Sequence, residues 1–324
     1  MRRGTEDPLR TNRFPRPRLR LRRVLVAFAA LIVGVSTLGA ATRSYAATSA
    51  EPVIFIHGYE TDAGADCAAI WGDMKRWLKE AGWSGDLVTV GYYVNDTRCD
   101  ASISDDGSHS VHHASGHVGS GHTTGTNIRH LGYHLAWWIY DHYTSQGQCV
   151  DAVAHSMGGL ILRYAIAQVE NRNFDFPRTL CVQDAVTLGT PHAGTPWAWG
   201  CFTLQCKQMR GNFECDGATA SPFIQWLRSN AWDPDGTHGT QWTLLGSYAD
   251  QDVPANCAVW NMRAFGKTRY LLTSWIRHAE YMHRTNSEDT ADAEYKKGIS
   301  GWVTDYGAPW PVKWSGLALA ERTW

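Results

Sequence analysis

Basic residues are scarce over most of this chain. Of its 30 lysines and arginines, ten lie in the first 46 positions, which hold only two acids, Glu6 and Asp7. From residue 47 onward 20 basic residues face 29 acidic ones, a formal charge of −9. That balance excludes the basic surface that nucleic acid requires. A long membrane-spanning run is lacking too. The longest apolar stretch, VLVAFAALIVGVSTLGAA from Val24 to Ala41, has 18 residues and is weakened by Gly34, Ser36, Thr37 and Gly39, at the lower edge of the roughly 20 that a spanning helix needs. Basic residues precede it, and Ser44 and Ala46 follow it as a small-x-small cleavage pattern. Residues 1–46 are therefore expected to be a secretory signal, and residues 47–324 the exported working domain. A membrane anchor is the competing reading. Arg22-Arg23 matches a twin-arginine export motif poorly.

No C-x2-C pair occurs among the eight cysteines, which removes the paired knuckles of a structural zinc site. All eight (Cys67, Cys99, Cys149, Cys181, Cys201, Cys206, Cys215, Cys257) lie in the exported part. Their even number fits disulfides formed in an oxidising compartment, with about 105 pairings open to the sequence alone.

No internal repeat is evident, and from residue 52 strand and helix patterns alternate. PVIFIHG (52–58), DLVTVGY (86–92), CVDAVA (149–154), TLCVQDAVTLG (179–189), WTLLGS (242–247) and RYLLTSW (269–275) read as strands. CAAIWGDMKRWLKEAGW (67–83), IRHLGYHLAWWIYDHY (128–143) and residues 157–170 read as helices from their apolar spacing. Fully apolar strands separated by helices imply a mostly parallel sheet covered on both faces, an α/β architecture. Cys149 and Cys181 open two strands that should be neighbours, so Cys149–Cys181 is the preferred bridge. An irregular stretch at about 193–240, rich in Cys, Trp and Gly, reads as an insertion.

The segment VDAVAHSMGGLILRYAI (150–166) carries the chemical signal. A serine on a tight strand-to-helix turn presents its hydroxyl at the carboxyl edge of a parallel sheet, where ligands bind. The turn closes only if the residues two away on either side are small; here they are Ala154 and Gly158, with Gly159 letting the helix pack closely. This is the nucleophile-elbow pattern with Ala at its first small position, and Ser156 is the candidate nucleophile. A serine hydroxyl needs a base, the base an orienting acid, and the oxyanion two backbone donors. In the chain order serine, acid, histidine, the acid is Asp250 or Asp252 after strand 242–247, with Asp250 nearer the strand end. The base is His278, because His283 is expected inside a helix. The amides of Tyr59, in the turn FIHGYE, and of Met157 are the candidate oxyanion donors, whereas His57 is expected to shape its loop.

Taken in order, IFIHGYE, AHSMGGL, VTLGTPHAGT, SYADQDVP and RHAEYMH resemble the secreted bacterial triacylglycerol lipases of the α/β-hydrolase fold, in the group with Ala at the start of the elbow. QMRGNFECDGATASPFIQWL is similar to that family's lid-region segment, here bearing extra cysteines. The resemblance spans most of residues 52–300. It implies Ser156, Asp250 and His278 as triad, Tyr59 and Met157 as oxyanion donors, a lid-like insertion, and a lipid or ester substrate. No cofactor and no metal are implied, and a monomer with transient lipid-surface contact is expected. The cysteines between 201 and 257 and the long loop 101–125 depart from the family pattern, so acyl-chain preference does not carry over.

Two stretches admit a second role. His109, His112, His113, His117 and His122 could bind a metal, but no partner stands at a firm ligand spacing and a solvated loop is the simpler reading. The aromatic residues of PWAWGCF and FIQWL either line an acyl pocket and meet lipid or pack as core. Acyl transfer, polyester or amide cleavage by the same serine remain alternatives. So does a catalytically silent binding protein on this scaffold.

Overall fold

The computed structural model describes residues 51–103, 122–260, 262–283 and 290–320. The expected signal segment and the histidines at 109–117 lie outside the described residues. The order of elements follows the apolar runs. Strand β1 (Val53–Ile56), helix α1 (Cys67–Glu80), β2 (Leu87–Gly91) and the short β3 (Ala101–Ser102) come first. Helix α2 (Ile128–His142), β4 (Val150–His155), α3 (Met157–Glu170) and β5 (Val182–Leu188) follow. Then come α4 (Leu204–Met209), α5 (Pro222–Asn230), β6 (Gln241–Ser247), α6 (Ala255–Val259) and β7 (Gly266–Tyr270). The chain closes with β8 (Thr290–Lys297), β9 (Val303–Pro309) and α7 (Pro311–Leu319).

The strands form one nine-stranded sheet in the order β3-β2-β1-β4-β5-β6-β7-β8-β9. Pairing is parallel from β3 to β7 and antiparallel from β7 to β9. Strand β1 lies between β2 and β4, and its four residues are fully buried because alternate side chains feed two cores. Ile54 and Ile56 join α2 and α3 on one face through Leu131, Leu135, Leu160 and Ile161. Val53 and Phe55 join α1 and α7 on the other through Trp71, Met74, Leu78 and Trp314. This is the α/β-hydrolase architecture, a largely parallel sheet with helices on both faces and an insertion between β5 and β6.

Four disulfides staple it: Cys67–Cys99, Cys149–Cys181, Cys201–Cys206 and Cys215–Cys257. Val150 pairs directly with Val182, so the residues just before them, Cys149 and Cys181, stand side by side with Cα atoms 4.7 Å apart. The insertion is bridged internally by Cys201–Cys206 and tied to α6 by Cys215–Cys257. The buried Arg163 of α3 fastens the end of α5, donating to the carbonyls of Leu227 at 3.2 Å and Ala231 at 2.9 Å.

Two expectations need correction. The strand expected at 269–275 begins earlier and stops at Tyr270, after which Leu272–Ser274 form a 3-10 turn and Trp275 takes a left-handed conformation. Leu272 and Trp275 are exposed, so their apolar character reports no strand burial. The helix expected around His283 is a single 3-10 turn, His278–Glu280. The His283 imidazole instead meets Asp73 at 3.2 Å and its carbonyl accepts from Trp310. No described helix is long and apolar enough to cross a membrane.

Candidate active site

Strand β4 ends at His155 and α3 begins at Met157, leaving Ser156 at the turn with φ 52° and ψ −128°. A non-glycine residue at positive φ is strained, and such strain persists only where the surroundings enforce it. Here they do. A Cβ on Gly158 would lie 2.4 Å from the His57 carbonyl oxygen, and one on Gly159 would lie 2.1 Å from Thr190 Oγ1. Both glycines let the first turn of α3 press against the strand-end loops, and that holds Ser156 up at the sheet edge.

The structure brings Ser156, His278 and Asp250 together. His278 Nε2 lies 2.9 Å from Ser156 Oγ, and His278 Nδ1 lies 2.8 Å from Asp250 Oδ2. The Asp250 carboxylate is held by other donors as well: the amides of Asp252 and Val253 at 2.9 Å on Oδ1, and the Tyr281 hydroxyl at 3.2 Å on Oδ2. Asp252 lines the neighbouring pocket but contributes its amide to Asp250 and its carbonyl to the Thr195 hydroxyl. Burial disfavours a charged His278, yet the adjoining Asp250 carboxylate, with Asp252 and Glu60 beyond it, outweighs it, so the imidazole pKa is raised above the ordinary histidine value. His155 has the opposite fate: burial pushes its pKa well down. As a neutral ring it donates from Nε2 to the His278 carbonyl at 2.8 Å.

The loop after β1 closes over the serine. A Cβ on Gly58 would come 2.7 Å from Ser156 Cβ, which places the His57–Tyr59 turn against the nucleophile's own side chain. Tyr59 lines the pocket, its hydroxyl 3.3 Å from Thr203 Oγ1 and its ring edge-on to Trp197. Met157 opens α3, where first-turn amides point outward from the helix end. His57 is buried between the Gly58 carbonyl and Asp96 Oδ2, each at 2.9 Å, and stacks on Tyr92. The Asp96 carboxylate gathers the amides of Ala65, Tyr92 and Tyr93 together with His57. Burial opposes its charge, but these donors win and hold its pKa below the usual carboxylate range. A lone Asp in a loop carries no sequence mark of that role.

The cavity beside Ser156 holds about 140 Å³ and is lined by Tyr59, Glu60, Pro191, Trp197, Met209 and Val253 with the serine and His278. Burial raises the pKa of the Glu60 carboxyl, a second residue the sequence did not single out. The aromatic segments divide between their two expected roles. Trp197 lines the cavity, Trp199 and Phe202 are exposed, and Phe223 is buried. A larger groove of about 970 Å³, between Trp137 and Thr237, contains none of the Ser156 constellation.

Sheet order, the turn after β4 and the convergence of Ser156, His278 and Asp250 define an α/β-hydrolase with the side-chain layout of a serine hydrolase. Over residues 53–198 the chain is similar to the family described as "Putative serine esterase (DUF676)". Among solved structures it is similar to the mature form of the Bacillus licheniformis lipase BlEst2, at 15% identity and TM-score 0.40, over 65% of this chain and 80% of that one. It is similar to Aspergillus fumigatus lipase B at 15% identity and TM-score 0.44, over 75% of this chain and 51% of that one. Phospholipase PlaB from Legionella pneumophila, in complex with thio-NAD, matches at 14% identity and TM-score 0.43, over 64% and 43% of the two chains. No curated protein matches the chain.

Proposed function

We propose that this chain is a secreted hydrolase of carboxylic esters, with lipid acyl esters as its substrate class, acting as a triacylglycerol lipase or carboxylesterase. The observation that carries the reading is the relay from Ser156 Oγ through His278 to Asp250, with steps of 2.9 and 2.8 Å, beginning at a strained turn. In the reaction His278 Nε2 takes the Ser156 proton as Oγ attacks the ester carbonyl, while Asp250 stabilises the imidazolium that forms. The Tyr59 and Met157 amides face the developing oxyanion, where losing one donor typically costs roughly 2.7–4 kcal/mol of transition-state stabilisation. His278 then protonates the departing alcohol, and a water activated by the same imidazole resolves the acyl-serine.

The apolar wall of the cavity, Pro191, Trp197, Met209 and Val253, and the exposed aromatics of the insertion support an acyl chain over a polar substrate. Residues 1–46 supply the export signal in this reading, and the four disulfides suit an oxidising exterior.

The test is hydrolysis of p-nitrophenyl esters of short, medium and long acyl chains by the exported form, beside Ser156→Ala. Loss of activity in the variant on the order of 10⁵–10⁶ in kcat is expected. A serine-directed phosphonate should label the wild type alone. Equal activity in both folded proteins, or labelling of both, would sink the assignment, and the acyl-length profile separates lipase from short-chain esterase.

A further inference from the structure

A second convergence of side chains lies on the α2 side of the sheet. His122, His130 and His134 each offer a ring nitrogen, and the three nitrogens lie within 4.8 Å of one another. His122 and His134 are buried and His130 is half-buried. The Nε2 atoms of His130 and His134 are 3.0 Å apart, and the three ring centroids stand 4.4 to 5.1 Å apart. His130 and His134 are four residues apart on α2, the spacing that puts two imidazoles on one helix face. His122 Nδ1 is 3.1 Å from the Tyr92 carbonyl oxygen. A carbonyl only accepts, so Nδ1 carries a proton, and in the neutral form of the ring the ligand lone pair is on Nε2. This carbonyl–imidazole arrangement is how proteins orient histidine ligands for a metal.

We propose that His122, His130 and His134 form a binding site for one divalent transition-metal cation, Zn²⁺ by preference, with water completing the coordination. Tetrahedral Zn²⁺ with Zn–N bonds of about 2.0–2.1 Å holds its nitrogens roughly 3.3 Å apart. The His130–His134 pair is already at that scale, and His122 needs only a small ring movement to join it. On loading, whichever of His130 and His134 carries its proton on Nε2 shifts it to Nδ1, so three neutral imidazoles face the ion. A donor set of three imidazoles favours Zn²⁺, Co²⁺, Ni²⁺ or Cu²⁺ over the oxygen-seeking Ca²⁺ and Mg²⁺. All described cysteines are in disulfides and offer no competing thiolate.

The site braces the catalytic loops from behind. Tyr92, whose carbonyl orients His122, sends its hydroxyl to the carbonyls of His57 and Gly58 in the loop over Ser156. The segment after His122 anchors the insertion. Gln205 of α4 donates to the Thr123 carbonyl at 3.1 Å through its side chain and to that of Thr124 at 3.3 Å through its backbone, and Gln208 donates to Asn127 Oδ1 at 2.6 Å. A bound cation therefore links α2, the end of β2 and the foot of the insertion.

Metal-stripped exported protein is titrated with Zn²⁺ by calorimetry and with Co²⁺ by visible absorption. Three forms are compared: wild type, His130→Gln, and a variant with His109, His112, His113 and His117 all changed to Ser. Neither readout involves ester cleavage. His130 is the half-buried member of the trio, so its replacement is the least disruptive, and circular dichroism checks that it folds. The expected result is one ion per chain with a tetrahedral Co²⁺ band in the wild type and the four-site variant. His130→Gln should bind more than about 100-fold more weakly, beyond the upper range for losing a mere orienting partner. Zn²⁺ at 100 times its Kd should raise Tm by roughly 5 °C, reversed by EDTA. Binding that survives in His130→Gln but vanishes in the four-site variant would overturn the proposal, as would no binding or no Tm shift in the wild type.

Discussion

Asp250 and Asp252 differ by two positions in one loop, and sequence spacing favours Asp250, nearer the strand end, without excluding Asp252; burial and backbone geometry distinguish the two. Asp250 is buried, its amide turns back to the carbonyl of Ser247 at the end of β6, and its carboxylate meets His278 while two amides and Tyr281 lock its rotamer. Burial opposes charge on His278, and the Asp250 carboxylate at Nδ1 leads the groups that together raise the imidazole pKa, ahead of Asp252 and Glu60. A base must be neutral to accept the Ser156 proton, so the acid limb of kcat/KM is expected above the ordinary histidine value of about 6.5, activity falling as pH drops through it. Asp250→Asn keeps the shape and removes the charge. That variant should lose on the order of 10³–10⁴ in kcat and shift the limb to lower pH. A pH–rate profile of both proteins checks this, and an unmoved limb would mean that Asp250 does not set the imidazole's charge. The serine was legible because the turn demands small residues around it. The sequence distinguishes His278 from His283 only by an expected helix at His283, where the structure has a bend, so the meeting of His278 with Asp250 is its physical basis.

At the scale of elements, legibility followed burial on both faces. Strands β1, β4, β5 and β6 are almost wholly buried and mostly apolar because helices cover both sides, and the sequence marked each of them within a few residues. Strands β8 and β9 were missed. TADAEYKK buries only Ala291 and Ala293 among polar neighbours, and β9 is half-exposed at the sheet edge, so neither produces an apolar run. The i, i+4 histidines of α2 were hidden inside an aromatic helix pattern, and their third partner lies eight positions before His130, outside the helix. The bridges offer a test of how elements are held. Cys67–Cys99 and Cys149–Cys181 each close 32 positions, Cys215–Cys257 closes 42, and Cys201–Cys206 closes five. Loop-closure entropy gives about 3.7 kcal/mol for the Cys149–Cys181 span but only about 2.2 kcal/mol for Cys201–Cys206. Paired Cys→Ala variants should therefore lower Tm more for the first than for the second, measured by thermal unfolding. The reverse ranking would place the dominant contact energy in the insertion.

Across the whole molecule, charge and apolar surface are distributed unevenly. Residues 47–324 carry a formal charge of −9, which gives no electrostatic attraction to an anionic lipid surface. Under the proposed function, contact with such a surface would come from apolar burial, and the insertion offers exposed rings for it: Phe202 is 81% exposed and Phe213 74%, with Trp199 exposed as well. Neither phenylalanine lines the cavity at Ser156. Fully burying such a ring is worth about 1.5–3 kcal/mol, so Phe202→Ser with Phe213→Ser should weaken adsorption to triacylglycerol emulsion by at least roughly tenfold. Hydrolysis of a soluble short-chain ester should stay within about twofold, because that reaction uses only the cavity and the Ser156 relay. The two rates measured side by side, with adsorption followed by sedimentation of the emulsion, separate surface capture from chemistry. A loss on both substrates would assign the rings to holding the insertion over the site. A loss on neither would remove the insertion from lipid contact and favour a soluble ester as the substrate, since a negatively charged protein without an apolar footing has no means of residing on lipid.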